Sequence, residues 1–276
     1  MFYQQDVAFM EVNEKLHKKH VILADVNIPY KFSLSRAKDC LFFCINADDF
    51  SEHSFHSVVL DLQSGLATII PSIRNGFASA VDQTTGAVYL GGSDGIYQYN
   101  FHTKDVNKPA LISGIDIFDM YFQNNLYFVD TANQNLYIYK EKKPIIIPEL
   151  KDYQIQHFVV DPQDNVMFVN STGLFILTKG SKLATLYDDR NITFRGATTD
   201  VVGVPHFIAQ DGIYTIDENK ELVKILSLEN GYGLAFDKDD NIIYSDERTV
   251  NKLVSHEKTK ARLQEAAFAN QQKMLS

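Results

Sequence analysis

The chain has 276 residues, 45% of them hydrophobic, with a formal net charge of −9 and a pI near 5.3. That composition can bury a real core, but the charge repels phosphate backbones and anionic membrane surfaces and no basic stripe offsets it, so nucleic acid and lipid are excluded as partners. No run of roughly 18 apolar residues occurs, and MFYQQDVAFMEVNEKLHKKH is broken by polar side chains where a secretory leader needs a continuous apolar stretch.

In chain order, residues 1–19 read as an extension. HVILADV, residues 20–26, then reads as one strand with no turn or partner of its own. Six hairpins follow: PYKFSLSRAKDCLFF, GFASAVDQTTGAVYL, IFDMYFQNNLYF, QHFVVDPQDNVMFV, RGATTDVVGVPHFI and YGLAFDKDDNIIYS. Short β-branched and aromatic runs joined by Asp, Asn and Gly turns are the pattern of β-hairpins. Their equivalent positions are Ser35, Asp82, Phe122, Asp161, Asp200 and Asp237, spaced by 47, 40, 39, 39 and 37 residues. A period near forty belongs to the blades of a propeller.

A third run follows each hairpin: HSVVLDL, GIYQYNF, NLYIYKE, GLFILTK, GIYTIDE and VNKLV. Five copies continue into a fourth: LATIIPS, PALISG, KPIIIPEL, KLATLYDD and ELVKILSLE. The sixth does not, because SHEKTKARLQEAAFANQQKMLS is rich in helix formers and poor in β-branched residues. The unpartnered HVILADV supplies the missing strand. The expected fold is therefore all-β, a six-bladed β-propeller over residues 20–254 with an N-terminal strand closing the last blade, followed by a helical tail at 255–276.

Several local features read as structure. Cys40 and Cys44 lie on one strand with Cα atoms about 13 Å apart, beyond disulfide reach, and are expected to be small buried side chains. Asp237-Lys238-Asp239-Asp240-Asn241 lacks the glycine and closing glutamate of a calcium loop and sits where the other hairpins turn, so it reads as a turn. The segment Asn46–His56 is an enlarged loop in blade one, carrying Asp48, Asp49, Glu52, His53 and His56. It reads as a solvated insertion, or as a rim over the channel, rather than a metal site. Asn170 and Asn191 begin N-x-Thr sequons, which makes them candidate glycosylation sites.

In a four-stranded antiparallel blade the starts of the first strands meet at one mouth of the central channel. Reading that position gives Tyr30, Phe77, Ile117, Gln156, Arg195 and Tyr232, and the next gives Lys31, Ala78, Phe118, His157, Gly196 and Gly233. An aromatic cup with Arg195, Lys31 and His157 as candidate cations suits a flat, anionic organic molecule that stacks on rings and pairs through a carboxylate or sulfate. The candidate ligand-binding residues are Tyr30, Lys31, Phe77, Phe118, His157, Arg195 and Tyr232. No catalytic residue, metal ligand or cofactor is assigned: no G-x-S-x-G occurs, and the mouth positions contain no Asp or Glu. Asp116 and Asp119 flank the third of them without matching carboxylates from other blades.

GFASAVDQTTGAVYLGGSDGIYQYNF, NGYGLAFDKDDNIIYSDE and the third strands GIYTIDE and GLFILTK resemble the lepidopteran ommochrome-binding protein family, from about Val21 to Val254. The resemblance implies a secreted haemolymph carrier that binds an ommatin pigment, without catalysis; separately, a monomer is expected. Hairpin-Asp and GIY patterns also occur in NHL-type and gluconolactonase-like propellers, and LYFVDTANQNLY is YWTD-like with Phe128 in place of Trp. A protein-interaction propeller of NHL type and a metal-dependent lactonase-like hydrolase therefore stand as the alternatives.

Overall fold

The computed structural model describes residues 8–47 and 54–256. The expected tail helix and the centre of the blade-one loop fall outside that range. The described chain forms six antiparallel sheets arranged as blades. Blade one consists of Tyr30–Ser35, Cys40–Asn46, Phe55–Asp61 and Ala67–Ile69. Blade two runs Ala78–Val81, Val88–Gly92 and Gly95–Asn100, and its outer position is shared by two short strands, Asp105–Val106 and Ile112–Ser113. Blades three, four and five each have four strands in sequence order, with inner strands Ile117–Gln123, His157–Val160 and Phe194–Thr199.

Blade six closes the ring in the way the strand count requires. Its chain-order strands are Leu234–Phe236, Ile242–Ser245 and Val250–Ser255, and the next strand outward is Lys15–Leu23 from the N-terminus. The latch begins at Lys15 rather than His20, and it pairs Lys19 with Leu253 and Val21 with Asn251. A fifth strand, Phe9–Val12, lies outside it. This hairpin also ties blade six to blade five: Val12 is buried in the cluster between them, and the Asn13 amide donates to the Ile225 carbonyl at 2.9 Å.

The core is a ring of six apolar clusters, one at each junction between neighbouring blades. The junction of blades six and one buries Ala235, Ile243 and Val250 against Phe32, Leu34, Leu41 and Phe43, so the closing interface is as apolar as the others. The second strands carry the largest wholly buried side chains, among them Phe42, Phe128, Phe168, Phe207 and Tyr244. Phenylalanine thus fills the space between sheets in a chain without tryptophan. Cys40 and Cys44 are buried and free, as their spacing predicts.

Two recurring sequence signals have local physical causes. The hairpin aspartates cap their own turns: Asp161 accepts from the amides of Gln163 and Asn165, Asp200 from those of Val202 and Val204, and Asp237 from those of Asp239 and Asn241, all between 2.8 and 3.0 Å. The Asp237 segment is therefore a turn. The glycine that opens GIYQYNF and GIYTIDE sits at φ +138° (Gly95) and +158° (Gly212), where an added Cβ would run into the carbonyl oxygen of the outer strand, from Ile112 and Leu226 respectively.

Candidate functional site

Seven of the twelve mouth positions converge, while Ala78 and Ile117 are buried in the junction between blades two and three. Tyr30, Lys31, Phe77, Phe118, His157, Arg195 and Tyr232 all line one cavity of about 340 Å³, which Ile28 and Asn46 complete. In blades one, three and five the first strand slips register as it reaches the mouth, between Tyr30 and Ser33, between Ile117 and Asp119, and between Phe194 and Gly196. Such bulges add a residue that the partner strand does not match and redirect side chains. Lys31, Phe118 and Arg195 lie within these slips, and Lys31 holds the left-handed conformation at φ +58°.

One side of the cup is a chain of edge-on and tilted rings. Tyr30 meets Phe77 with centroids 5.4 Å apart, and Phe77 meets Phe118 at 5.6 Å. Phe55, from the far end of the blade-one loop, joins them at 4.6 Å from Phe77 and 5.8 Å from Tyr30. Sequence reasoning missed Phe55 because it reaches the mouth from the start of a third strand rather than a first one. The Tyr30 hydroxyl donates to Asn46 Oδ1 at 2.9 Å, and burial pushes its phenol up from the ordinary value.

The three candidate cations are not equivalent. Lys31 Nζ lies 2.8 Å from Asp119 Oδ2, with side-chain exposures of 6% and 12%, so its charge is answered within the protein. The ammonium also sits over the rings of Phe118 at 4.9 Å and Phe77 at 5.5 Å. His157 Nδ1 is 3.1 Å from Lys31 Nζ and 3.5 Å from Asp119 Oδ2. The shorter contact makes Nδ1 an acceptor and leaves the ring proton on Nε2. Burial, and then the Lys31 charge, hold His157 below the ordinary histidine value, so it is neutral rather than cationic. Burial resists ionisation of Asp119, but the Lys31 ammonium outweighs it and keeps the carboxyl below its usual range.

Arg195 is the cation left facing the cup. Its guanidinium carbon stacks 4.0 Å from the Tyr232 ring centroid, and Nη1 donates to Asn230 Oδ1 at 2.8 Å and to the Gly231 carbonyl at 3.1 Å. Among the described residues no carboxylate pairs with it.

Below the cup a second cavity of about 250 Å³ follows the channel to the opposite face, and Lys31 borders both. There Arg36 spans the channel from blade one, donating to the carbonyls of Phe236 at 3.3 Å and Asp200 at 3.2 Å. The buried cluster of Lys31, Asp119 and His157 separates the two spaces. Of the candidate glycosylation sites, Asn191 is exposed, whereas Asn170 is half-buried with its amide nitrogen donating to the Tyr153 carbonyl at 2.9 Å. Among the described residues no helix is long and apolar enough to cross a membrane.

The buried histidines set a pH dependence. His157 and His206 are both held below 6.5, first by burial, so the unfolded chain takes up protons that the folded one refuses. Stability is therefore expected to fall as pH drops below about 6.5, by up to about 1.4 kcal/mol per pH unit for each group. The Asp119 contribution has the same sign in a lower window, being present above about 3.8 and lost as pH falls through its lower folded value. Thermal midpoints between pH 7.5 and 5 measure the first effect, and His157→Gln should flatten the fall. A wild-type midpoint constant over that range would contradict it.

No protein-family profile matches the chain. In overall shape it superposes on a gluconolactonase from Xanthomonas campestris with a TM-score of 0.70 at 9% identity, covering 91% of this chain and 96% of that one. It also superposes on the calcium-binding protein regucalcin from Agrobacterium tumefaciens with a TM-score of 0.65 at 12% identity, covering 86% and 94%. At that identity these likenesses show the propeller fold alone. In sequence the chain is 30% identical over 253 residues to the ommochrome-binding protein of Manduca sexta, covering 90% of this chain and 91% of the relative. On that identity over 90% of its length, the chain belongs to the ommochrome-binding protein family.

Proposed function

We propose that this protein is a non-catalytic carrier that holds a flat, anionic aromatic molecule, an ommochrome pigment, in the aromatic cup at the channel mouth. The observation that carries this reading is Arg195, a guanidinium stacked on Tyr232 with no carboxylate partner among the described residues, in a cavity walled mostly by rings. An aromatic body is held by edge and face contacts, and its acidic group supplies the charge that Arg195 lacks. The buried charges below are already matched, so they add little net positive charge to the floor. The relative's name supports the pigment, and the family supports a carrier released from the cell into body fluid.

The test is titration of an ommochrome into the wild type and variants, followed by fluorescence quenching. Arg195→Ala is expected to weaken binding by about 1.5 to 3 kcal/mol, the scale of a charge-assisted hydrogen bond. Tyr232→Ala should cost a comparable amount through lost stacking, with thermal midpoints little changed. Equal affinities in all three proteins would place the ligand elsewhere. Hydrolysis of a lactone that is abolished by a chelator would overturn the non-catalytic reading.

A further inference from the structure

We propose that an anion entering the cup brings a proton with it, taken up from solvent by the His157 imidazole, so that the protein grips an anionic ligand more tightly in acid than at neutral pH. This regulation acts on the carrier site proposed above and rests on that reading.

His157 is placed to feel such an anion. It opens the inner strand of blade four, keeps 12% of its side chain uncovered, and borders the cup but not the lower cavity. The elements packed against its strand are Ile117–Gln123, Val166–Asn170 and Phe194–Thr199. Of their ionisable side chains, Asp119 lies 3.5 Å from Nδ1, Arg195 shares the cup, and Tyr121 lines the lower cavity, while Val166–Asn170 has none. Lys31 reaches across from blade one to 3.1 Å, and the phenols of Tyr30 and Tyr232 stand in the cup wall.

With the cup empty, these surroundings oppose protonation. Two cations, Lys31 and Arg195, stand against the one carboxylate of the floor, and Lys31 already claims that carboxylate at 2.8 Å. A third positive charge would find no counterion. An anion in the cup answers Arg195, and the imidazole then faces balanced charge instead of an excess cation. Opposite charge within about 4 to 6 Å favours the ionised form of a histidine. The proton goes to Nδ1, the lone pair of the neutral ring, on the side of Asp119 Oδ2, and the Lys31 ammonium keeps its own contact with that oxygen.

Thermodynamic linkage gives the sign. Because the bound state holds the proton more firmly than the empty one, binding and protonation strengthen each other, and affinity rises as pH falls through the range in which the bound state titrates. Acid thus weakens the empty protein while strengthening its hold on the ligand. Asp119 titrates below this range and the Tyr30 phenol above it, so neither produces the effect.

Naphthalene-2-carboxylate and its uncharged amide are suitable probes, since their emission meets no tryptophan signal from the chain. Both would be titrated into the wild type and His157→Gln from pH 7.5 to 5.5, where the carboxylate of the probe stays ionised. The wild type should bind the acid at least about fivefold more tightly at the lower pH and the amide no more tightly, and in His157→Gln the affinity for the acid should change by less than about twofold. Calorimetry of the wild type in buffers of different ionisation enthalpy should show net proton uptake with the acid, a readout that does not depend on the folding of His157→Gln. Wild-type affinity for the acid that stays flat or falls on acidification, without proton uptake, would overturn the proposal. A rise that persists in His157→Gln, or that the amide shares, would do the same. Failure of the acid to bind the wild type at any pH would instead remove the reading of the cup, and proton-coupled binding with it.

Discussion

Asp119→Ala is expected to lower stability by about 3 to 5 kcal/mol, because it strands the Lys31 ammonium in the channel floor. The pair is 2.8 Å apart and nearly closed to solvent, and His157, the next nearest group, is neutral and offers only a lone pair. The loss should come from the unpaired charge rather than from the missing attraction, so the double variant Lys31→Met, Asp119→Leu should recover most of it. Midpoints of urea unfolding at constant slope would measure both. An Asp119→Ala protein within about 1 kcal/mol of the wild type would mean that the ammonium escapes to water, at odds with its 6% exposure. The same variant should bind an anionic aromatic ligand more tightly, since removing Asp119 leaves a second uncompensated cation beneath the rings.

Deletion of residues 1–23 should have the other large effect, aggregation or loss of the folded state. It removes Lys15–Leu23 and Phe9–Val12, leaves blade six with three strands, and bares the backbone groups of Val250–Ser255. An unpaired edge of this kind is a template for intermolecular pairing. It also takes Val12 out of the blade five and six cluster, and Ile22 and Leu23 away from the cluster that closes the ring. Size-exclusion chromatography and thermal unfolding would report the outcome, with deletion of residues 1–7, which spares both strands, as the control. A 1–23 deletion that stays monomeric with the wild-type midpoint would show that the latch is dispensable.

The ring was legible in the sequence because each hairpin is local: alternating apolar runs and an aspartate turn announce themselves within about fifteen residues, and their period supplies the blade. The latch was legible only where it is apolar. Lys15–Leu23 starts with KLHKK, an outer strand with no fully buried residue, so its first half carries no strand pattern. The cup residues could be found by counting along the repeat, since position within a blade fixes position around the mouth. What counting could not give was the charge state of the site. Lys31 and Asp119 come from blades one and three, and their pairing depends on the width of the channel at that level. Asn230 lies in a connection whose length varies between blades, so no repeat position points to it.

The slips of register at the mouth bear on how such a protein can change over time. A residue left over by a bulge belongs to no rung of the ladder, so the hydrogen bonds on either side do not depend on which side chain it carries. At three blades this chain uses those free places for an ammonium, a phenyl ring and a guanidinium. Substitution at Arg195 alters what the cup attracts while the sheets keep their alignment, whereas Phe118 also packs against the cluster between blades three and four. Binding preference and folding are thus separated most fully at Arg195. Descendants of this chain can trade one cargo for another by a single replacement at Arg195, whereas Phe118 must keep its packing and Lys31, tied to Asp119, must change together with its partner.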